Sequence, residues 1–260
     1  MEERRVQLSF GRSRCPAALI AALLAFAADS ASASNPEQVQ DLGPKKGQSS
    51  LQYVGQVAST DGSDQGREHS PQFLHGLSDR LAVGSEVQRS YHSGPQIEDD
   101  GFKFDYGSLV ALVRFSDAEE DPVGAGLWLQ AGLDTDGETA ILESRFILEK
   151  KTESLWAQGN AMLRRVNDEE EEGSYFAYSA RLSGSVAKDL WLGIESSGQP
   201  ARISGFHEEP FDGAIYLGPS LFYEGQFGGS EARIGASYLR RIDEDQPLRN
   251  VFQLSAEVSF

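Results

Sequence analysis

Apolar side chains recur at every second position through most of this sequence, and this rhythm most restricts how the chain can fold. In the final ten residues, VFQLSAEVSF, apolar positions run from Phe252 to Phe260 in steps of two, with polar residues between them. Successive side chains of a β-strand point to opposite faces, so the pattern predicts a strand with one apolar and one polar face. A chain built from such strands is predicted to be all-β.

Twelve segments separated by turn-forming residues follow this pattern. Most of them reach the roughly 9 to 11 residues that a tilted strand needs to cross a bilayer. Residues 104–115 are apolar on both faces, and the pattern leaves the register of the first four strands undetermined. The segments are 50–58, 69–76, 80–92, 104–116, 124–134, 139–150, 154–166, 173–187, 189–198, 213–225, 230–242 and 250–260.

The N-terminal region is predicted to be a removable signal peptide, residues 1–33. A leader with four arginines precedes an Ala- and Leu-rich run at residues 16–28, and residues 31–33 offer a small-residue cleavage site. The run is too short to cross a bilayer as a helix. Residues 34–49, SNPEQVQDLGPKKGQS, are rich in polar and turn-forming residues and are predicted to form a flexible lead. The single cysteine, Cys15, lies in the leader, so no disulfide or thiolate site is expected after cleavage.

The chain is strongly acidic, with 40 Asp and Glu against 23 Lys and Arg and a formal net charge of −17. Nucleic-acid binding depends on a basic surface that neutralises phosphates, so this composition argues against nucleic acid as a partner. Beyond the leader, no segment approaches the roughly 18 continuous apolar residues of a transmembrane helix. Any crossing of a membrane is therefore expected to rely on strands.

Strands of this kind can cross a membrane only as a closed barrel. In hydrocarbon every backbone N–H and C=O needs an internal partner, and an open sheet leaves its edges unpaired. We therefore expect residues 50–260 to form a transmembrane antiparallel up-and-down β-barrel of about 12 strands. Its apolar side chains would face lipid and its polar side chains would line the lumen. A soluble β-sandwich or barrel also alternates and is the alternative.

The connections between the segments fall into two groups of different length. Short periplasmic turns and longer outer loops are typical of outer-membrane barrels, so both ends of the barrel sequence are predicted to be periplasmic. The predicted periplasmic joints are 77–79, 117–122, 151–153, 187–188 and 227–229. The predicted outer loops are 60–68, 92–101, 134–137, 167–173, 197–212 and 243–249.

The C-terminal segment and two internal hairpins resemble Gram-negative outer-membrane proteins. VFQLSAEVSF resembles the C-terminal signature of this group, an alternating strand that ends in Phe, and the resemblance implies recognition by the barrel-assembly machinery. Residues 69–88 (HSPQFLHGLSDRLAVGSEVQ) and 142–160 (LESRFILEKKTESLWAQGN) resemble hairpins of uncharacterised proteobacterial barrels regarded as transporters. The similarity covers about a third of the chain after the leader. It implies a barrel in the outer membrane but no particular substrate.

Charged residues on the polar faces are the candidate functional residues. Rings of charge on the walls of a lumen tune the selectivity of a pore. The same charges could instead pair across the lumen and plug it, and both interpretations stay open. The candidate lumen charges are Glu86, Glu143, Arg145, Arg164, Arg181, Glu195, Arg233 and Glu257. An aromatic girdle at the membrane interfaces is expected at Phe176, Tyr178, Tyr223, Tyr238, Phe252 and Phe260.

Other chemistry receives little support from the sequence. The four histidines, at positions 69, 75, 92 and 207, show no metal-ligand spacing, so neither a metal nor a cofactor is expected. A phospholipase of this architecture needs a Ser activated by an oriented His. His92 and Ser93 are adjacent and would point apart on an extended segment. Acidic runs such as residues 168–172 (DEEEE) could bind cations that bridge to lipopolysaccharide, or could simply be solvated loops.

The sequence thus predicts a monomeric, non-enzymatic outer-membrane barrel that passes or binds a small polar solute. A closed structural or adhesive barrel is the first alternative, and a surface lipid hydrolase is the second. The expected partners are outer-membrane lipid and lipopolysaccharide, the barrel-assembly machinery and the solute.

Overall fold

A computed structural model of the chain describes residues 38–60, 65–93, 101–167, 172–204, 213–243 and 249–260. These residues form a closed antiparallel barrel of twelve strands, which confirms the predicted fold class. The strands are β1 (Ser49–Thr60), β2 (Gln65–Ser78), β3 (Leu81–Ser93), β4 (Gly101–Ser116), β5 (Gly124–Leu133), β6 (Thr139–Lys151), β7 (Leu155–Asn167), β8 (Glu172–Ala187), β9 (Leu190–Ser204), β10 (Ile215–Phe227), β11 (Ser230–Arg241) and β12 (Arg249–Ser259). The predicted signal peptide lies outside the described residues.

The barrel closes through the pairing of its first and last strands. Each strand pairs with its neighbours in the chain, and β1 pairs with β12 from Ser50↔Ser259 to Thr60↔Arg249. Beyond this ladder, Ser49 and Phe260 exchange backbone hydrogen bonds in both directions. We call the end where these two residues meet the terminal end and the opposite end the loop end. Within the described residues, no helix is long and apolar enough to span a membrane.

The two faces of the wall differ as the alternation predicts. Apolar side chains such as Leu109, which is 75% exposed, point outward from the barrel. Polar side chains such as Gln130, Glu143 and Ser197 are buried on the inward face. A soluble barrel would have the opposite arrangement, with an apolar interior. The distribution of side chains is therefore that of a barrel with a lipid-facing exterior.

The structure resolves the register of residues 104–115, which the sequence left undetermined. Leu109 and Phe115 point outward, whereas Val110, Leu112 and Arg114 point inward. Several strands are longer than predicted, and the largest extensions are in β2, which begins at Gln65 rather than at residue 69, and in β9, which runs to Ser204 rather than to residue 198. The reason is that ladder hydrogen bonds join backbones and continue past the point where the side chains stop alternating.

Residues 38–48, which we call the plug segment, enter the lumen from the terminal end. The sequence predicts a flexible lead at residues 34–49, whereas in the structure residues 38–48 lie against the inner wall of the barrel. Lys46 forms a parallel bridge with Gly76 of β2, and Gly47 N–H donates to the Gly76 carbonyl at 2.8 Å. The physical reason for the difference is that the polar wall of the lumen supplies partners for a segment that has no periodicity of its own.

Candidate functional site

An apolar pocket in the lumen wall holds the plug segment by one leucine. Leu42 is 5% exposed and packs in a cluster that includes Leu112, Trp128 and Ile147, on β4, β5 and β6. Burying a leucine side chain contributes about 1.5–3 kcal/mol relative to leaving it exposed. The pocket is a small apolar area in an otherwise polar lumen, and Leu42 fills it.

Arg114 clamps the turn that follows Leu42. Its Nη2 donates to the carbonyl oxygens of Leu42 at 2.8 Å, Gly43 at 2.9 Å and Pro44 at 3.2 Å. These carbonyls would otherwise be buried without partners, which costs free energy. Arg114 is itself buried on β4, so its main role in the structure is to hold the backbone of the plug segment.

Side chains of β6, β7 and β8 hold the beginning of the plug segment. Gln40 N–H donates to Asn160 Oδ1 at 2.7 Å, and Asn160 Nδ2 donates back to the Gln40 carbonyl at 3.1 Å. The Gln38 carbonyl accepts from Arg145 Nη1 and from Ser179 Oγ, each at 2.9 Å. The segment thus uses its backbone polar groups as an additional strand would, although its partners are side chains.

Asp41 ties the plug segment to a cluster of carboxylates around Arg233. Arg233 Nη1 lies 2.7 Å from Asp41 Oδ2 and 3.2 Å from Glu257 Oε2, and Nη2 lies 3.3 Å from Glu224 Oε1. Burial acts to raise the pKa of Asp41, but the Arg233 guanidinium and the Gly43 N–H outweigh it and hold that pKa below its ordinary value. Asp41 is therefore ionised in this site at neutral pH.

At the terminal end, an ion pair bridges two walls of the lumen. Lys151 Nζ on β6 lies 2.6 Å from Glu224 Oε2 on β10, so the pair spans from one wall to another. The same ammonium lies 4.6 Å from the Trp156 ring centroid, and Arg233 lies over that ring at 4.4 Å. Trp156 Nε1 in turn donates to Glu149 Oε1 at 2.7 Å. Two cations thus lie against the indole ring, and cations are attracted to the face of such a ring.

Further along the lumen, Glu143 joins two arginines. Arg145 Nη2 lies 2.8 Å from Glu143 Oε1, and Arg164 Nη2 lies 2.5 Å from Glu143 Oε2. The side chain of Glu143 is 0% exposed. A buried charge of this kind requires both partners, because removal of one leaves an uncompensated charge in a poorly solvated site. The trio itself carries one net positive charge, and the Glu86 carboxyl lies close enough to interact with it.

Arg181 lies on an aromatic patch formed by Trp156, Trp191 and Phe222. Its guanidinium carbon is 3.9 Å from the Phe222 ring centroid, and its nitrogens donate to Gln158 Oε1. The nearest carboxylate, Glu195, lies 4.0 Å away and accepts from Ser237 Oγ at 3.1 Å. Arg181 is therefore less tightly paired with carboxylate than Arg233 is.

Little space remains in the lumen beside Asp41. The cavity there measures about 20 Å³ and is lined by residues that include Asp41, Arg181 and Arg233. Several inward polar atoms are buried and have no hydrogen-bond partner among the described residues, and a solvated lumen would supply water to them. These atoms are Gln72 Oε1, Ser183 Oγ, Ser197 Oγ, Ser220 Oγ and Gln253 Oε1.

At the terminal mouth of the barrel, Lys45 fixes the other end of the plug segment. Its Nζ lies 3.0 Å from Asp117 and 3.4 Å from Glu119, both in the connection between β4 and β5. The hydrogen bond to Asp117 raises the pKa of Lys45. Because Lys45 is partly exposed, this pair contributes little to stability on its own.

All eight candidate lumen charges lie on the inward face of the barrel. Most meet a partner of opposite charge there, while Glu86 accepts a hydrogen bond from Gln72 Nε2 at 3.0 Å. Further inward charges, which were not among the residues predicted from the sequence, are Arg114, Glu149, Lys151 and Glu224. Glu149 and Glu224 were visible on predicted polar faces, whereas Arg114 lies on the strand whose register was undetermined. The six residues of the expected aromatic girdle all lie on the outward face.

Two histidines of β2 point outward and form hydrogen bonds with side chains of β1. His69 Nδ1 shares a hydrogen bond with Tyr53 OH at 2.6 Å, and His75 Nδ1 shares one with Ser49 Oγ at 3.0 Å. The side chain of His92 and all of His207 lie outside what the structure describes. Within the described part of the chain, no group of three or more His, Asp or Glu side chains is arranged to hold a metal ion.

Solved outer-membrane channels have a similar fold. An outer membrane channel from Pseudomonas putida F1 matches with a TM-score of 0.57 and 16% identity, over 87% of this chain and 99% of that one. The KdgM porin, solved in complex with disordered oligogalacturonate, matches with a TM-score of 0.51 and 9% identity, over 81% of this chain and 99% of that one. The NanC porin matches with a TM-score of 0.51 and 12% identity, over 79% of this chain and 98% of that one. No family model and no curated protein matches the sequence. The chain has the fold of outer-membrane porin and channel barrels.

Proposed function

We propose that this protein is an outer-membrane channel for passive passage of a small polar solute, closed in this structure by the plug segment. The observation that carries the proposal is that residues 38–48 fill a polar, charged lumen whose wall is complete without them. The proposal sets the barrel in the bacterial outer membrane with its terminal end in the periplasm, which suits the outward apolar face and the aromatic residues near both ends.

The plug segment can leave without opening the wall. The ladder between β1 and β12 closes the barrel, and the plug segment adds backbone pairing only next to Gly76 among the described residues. Its other attachments are the buried side chains of Val39 and Leu42 and a set of hydrogen bonds, and each hydrogen bond contributes about 0.5–1.5 kcal/mol net, or more where a charge is involved. Water and solute in an open lumen would replace many of those hydrogen bonds.

The walls of the lumen favour a polar solute. Guanidinium groups at Arg145, Arg164 and Arg181 lie on one side, and carboxylates at Glu224 and Glu257 lie on another, which creates a transverse field in the lumen. Charged rings and walls of this kind set selectivity in pores. We assign the candidate lumen charges this role and take them as determinants of ion preference.

A closed barrel with a structural or adhesive role is the second candidate. The observation that favours it is the ion pair between Lys151 and Glu224, which bridges the walls, together with the small cavity beside Asp41. In this candidate the plug segment never leaves and the charges only stiffen the barrel. A surface lipid hydrolase has weaker support: Ser49 and His75 share a hydrogen bond, but His75 has no further polar partner among the described residues to orient it.

An engineered disulfide bond that fixes the plug segment to the wall tests the channel proposal. Gln40→Cys with Asn160→Cys, in a chain where Cys15 is replaced by Ser, joins two positions that are already hydrogen-bonded in both directions. In planar bilayers, we expect the oxidised protein to be silent and the reduced protein to open. The single-cysteine variants serve as controls and should not respond to reductant.

Absence of conduction in folded variants would contradict the channel proposal. If the reduced variant and a variant lacking residues 38–48 both fold, by heat-modifiable gel mobility, and neither conducts nor releases solute from liposomes, the closed barrel is correct. Release of fatty acid from phospholipid in the presence of calcium would instead support the hydrolase.

A further inference from the structure

We propose that Arg67 and Arg89, with an apolar groove below them on the outward face, form a binding site for a phosphorylated lipid of the outer leaflet. The site lies on the outside of the wall and therefore goes beyond the proposed channel. Its test does not depend on conduction.

The two arginines lie side by side on the hairpin of β2 and β3. His69 pairs directly with Arg89, and Arg67 lies two residues further toward the loop end on the same face. That face is the outward one, because Phe73 and Val57, which share it, are exposed apolar residues. Both guanidinium groups act electrostatically on His69, so the three side chains form one cluster.

Arginines recur on the outward face at the loop end. Outward positions there carry arginine at residues 67, 89, 165 and 240, in a protein whose net charge is −17. Two acids of the strands lie near these positions: Asp105, which occupies a bulge and accepts a hydrogen bond from Ser90, and Glu172, which pairs with Asn167 in the ladder between β7 and β8. The inward face carries most of the acids of the strands. Like charges placed close together on a sheet are destabilising, and an anion bound beside Arg67 and Arg89 would relieve that repulsion.

Arg67 has unused donors. Its Nε and Nη1 atoms are buried and have no hydrogen-bond partner among the described residues. A guanidinium presents its donors in a planar fork that matches phosphate in a bidentate manner. A buried donor without a partner is costly, and a phosphate oxygen would satisfy it.

An apolar groove on the same surface supplies the second half of the site. It has a volume of about 1070 Å³ and runs across the outside of the barrel, where its lining includes Phe73, Leu109, Leu129, Leu142 and Leu163. Arg165 lies at its edge. Phe73 is four residues from His69 along β2, which places the groove about 13 Å from the arginine cluster. Small side chains between the leucines, such as Ser85, form the floor.

This combination selects a lipid over the other phosphate compounds. A cationic cluster near the loop end, with an apolar groove extending away from it toward the middle of the barrel, matches an amphiphile with a phosphate head and acyl chains. A free phosphate would bind the arginines without contacting the groove. Lipid A, the membrane anchor of lipopolysaccharide, has both parts and lies in the leaflet that the loop end faces in the proposed orientation.

Native mass spectrometry of the delipidated protein in detergent tests the site. The probes are lipid A with its phosphates, the same lipid without phosphates, and inorganic phosphate. We expect bound phosphorylated lipid A for the native protein, with binding weakened roughly tenfold for each arginine removed in Arg67→Gln and Arg89→Gln. Arg240→Gln is the matched control, since it removes an outward arginine at the same end on β11, away from the groove.

Three results would overturn the inference. Equal binding of lipid A with and without phosphates would mean that the groove takes acyl chains alone. Equal competition by inorganic phosphate would mean a free-phosphate site, and an equal loss in Arg240→Gln would mean unspecific charge attraction. Ser85→Trp fills the groove without touching the arginines, so it should also weaken lipid binding, and unchanged binding there would contradict the inference. Heat-modifiable gel mobility verifies that each variant is folded.

Discussion

Asp41 and Arg233 are 192 residues apart in the chain, and their side chains meet at 2.7 Å inside the barrel. The next residue of the plug segment, Leu42, packs on the wall formed by β4, β5 and β6, whereas Arg233 lies on β11. Two consecutive residues therefore fasten the plug segment to two different walls, one by a charge and the other by an apolar side chain. Each attachment can be removed separately.

Asp41→Asn should loosen the plug segment without changing its size. The amide keeps a hydrogen bond to Arg233 but loses the charge, and a hydrogen bond to a charged group contributes about 1.5–3 kcal/mol. We expect the open probability in planar bilayers to rise by about tenfold or more. Asp243→Asn is the matched control, because Asp243 pairs with Arg241 at 2.5 Å away from the plug segment. An equal response of the two variants would contradict the assigned role of Asp41.

Loss of the Asp41 charge should contribute to opening only at low pH. Because Arg233 lowers the pKa of Asp41 in the folded protein, the contribution of this pair is complete above the ordinary value of 3.8 and is lost as the pH falls through the lower, folded-state pKa. The difference in conductance between the native protein and Asp41→Asn should therefore stay constant at neutral and mildly acidic pH and become smaller below that value. The nearby Glu149, Glu224 and Glu257 titrate in both proteins, so the comparison with Asp41→Asn isolates Asp41. A native profile identical to that of the variant would exclude this origin.

The strands and their faces could be predicted because both depend on a period that is printed in the sequence. Glu257 lies between two apolar neighbours, Ala256 and Val258, so a two-residue period alone assigns it to the lumen. The same argument assigns Phe252 and Tyr238 to the outside. Pairing with the next strand in the chain then follows from short connections, without any need to know which side chains meet.

The plug segment could not be predicted because its partners are remote and its sequence has no period. Gln40 meets Asn160 across 120 residues, and its interaction uses backbone atoms that are the same for every residue type. The sequence nevertheless held one indication that a segment fills the lumen. Ile147 and the inward residues of 104–115 interrupted the polar face, and in the structure Ile147 and Leu112 belong to the pocket that receives Leu42. An apolar area inside a polar lumen indicates that something apolar covers it.

Arg181→Gln should shift the ion preference of an opened channel toward cations. Arg181 lies on an aromatic patch, and its nearest carboxylate, Glu195, is 4.0 Å away, so its charge is less neutralised than that of Arg233. Reversal potentials in a salt gradient, measured in a variant lacking residues 38–48, give the preference directly. An unchanged reversal potential would mean that Arg181 is structural. Arg240→Gln, on the outward face, should leave the potential as it is.

Glu143→Gln should destabilise the barrel more than most single substitutions. It leaves Arg145 and Arg164 without their shared carboxylate in a site where Glu143 is 0% exposed, and breaking a buried pair costs about 3–5 kcal/mol. Urea unfolding followed by gel mobility measures the loss. Removing Arg164 as well should recover part of it, since fewer unpaired charges remain. Additive losses in the double variant would show that the two residues do not interact.

A substitution in the wall can expel the plug segment without changing any residue of it. Gly76 of β2 lies against the plug backbone, and a Cβ added there would lie 2.0 Å from the Lys45 carbonyl oxygen and 2.6 Å from its carbon. Backbone atoms cannot yield as the end of a flexible side chain does, so Gly76→Ala should force the plug segment away and increase conductance. Gly159→Ala is the matched control, because β7 is open at that position and nothing lies within 4 Å of the added carbon. Trypsin cleavage after Lys45 or Lys46 should become faster in Gly76→Ala only, as the released segment becomes accessible. If the two alanine variants conduct and are cleaved alike, the plug segment does not close the lumen through its contact with β2.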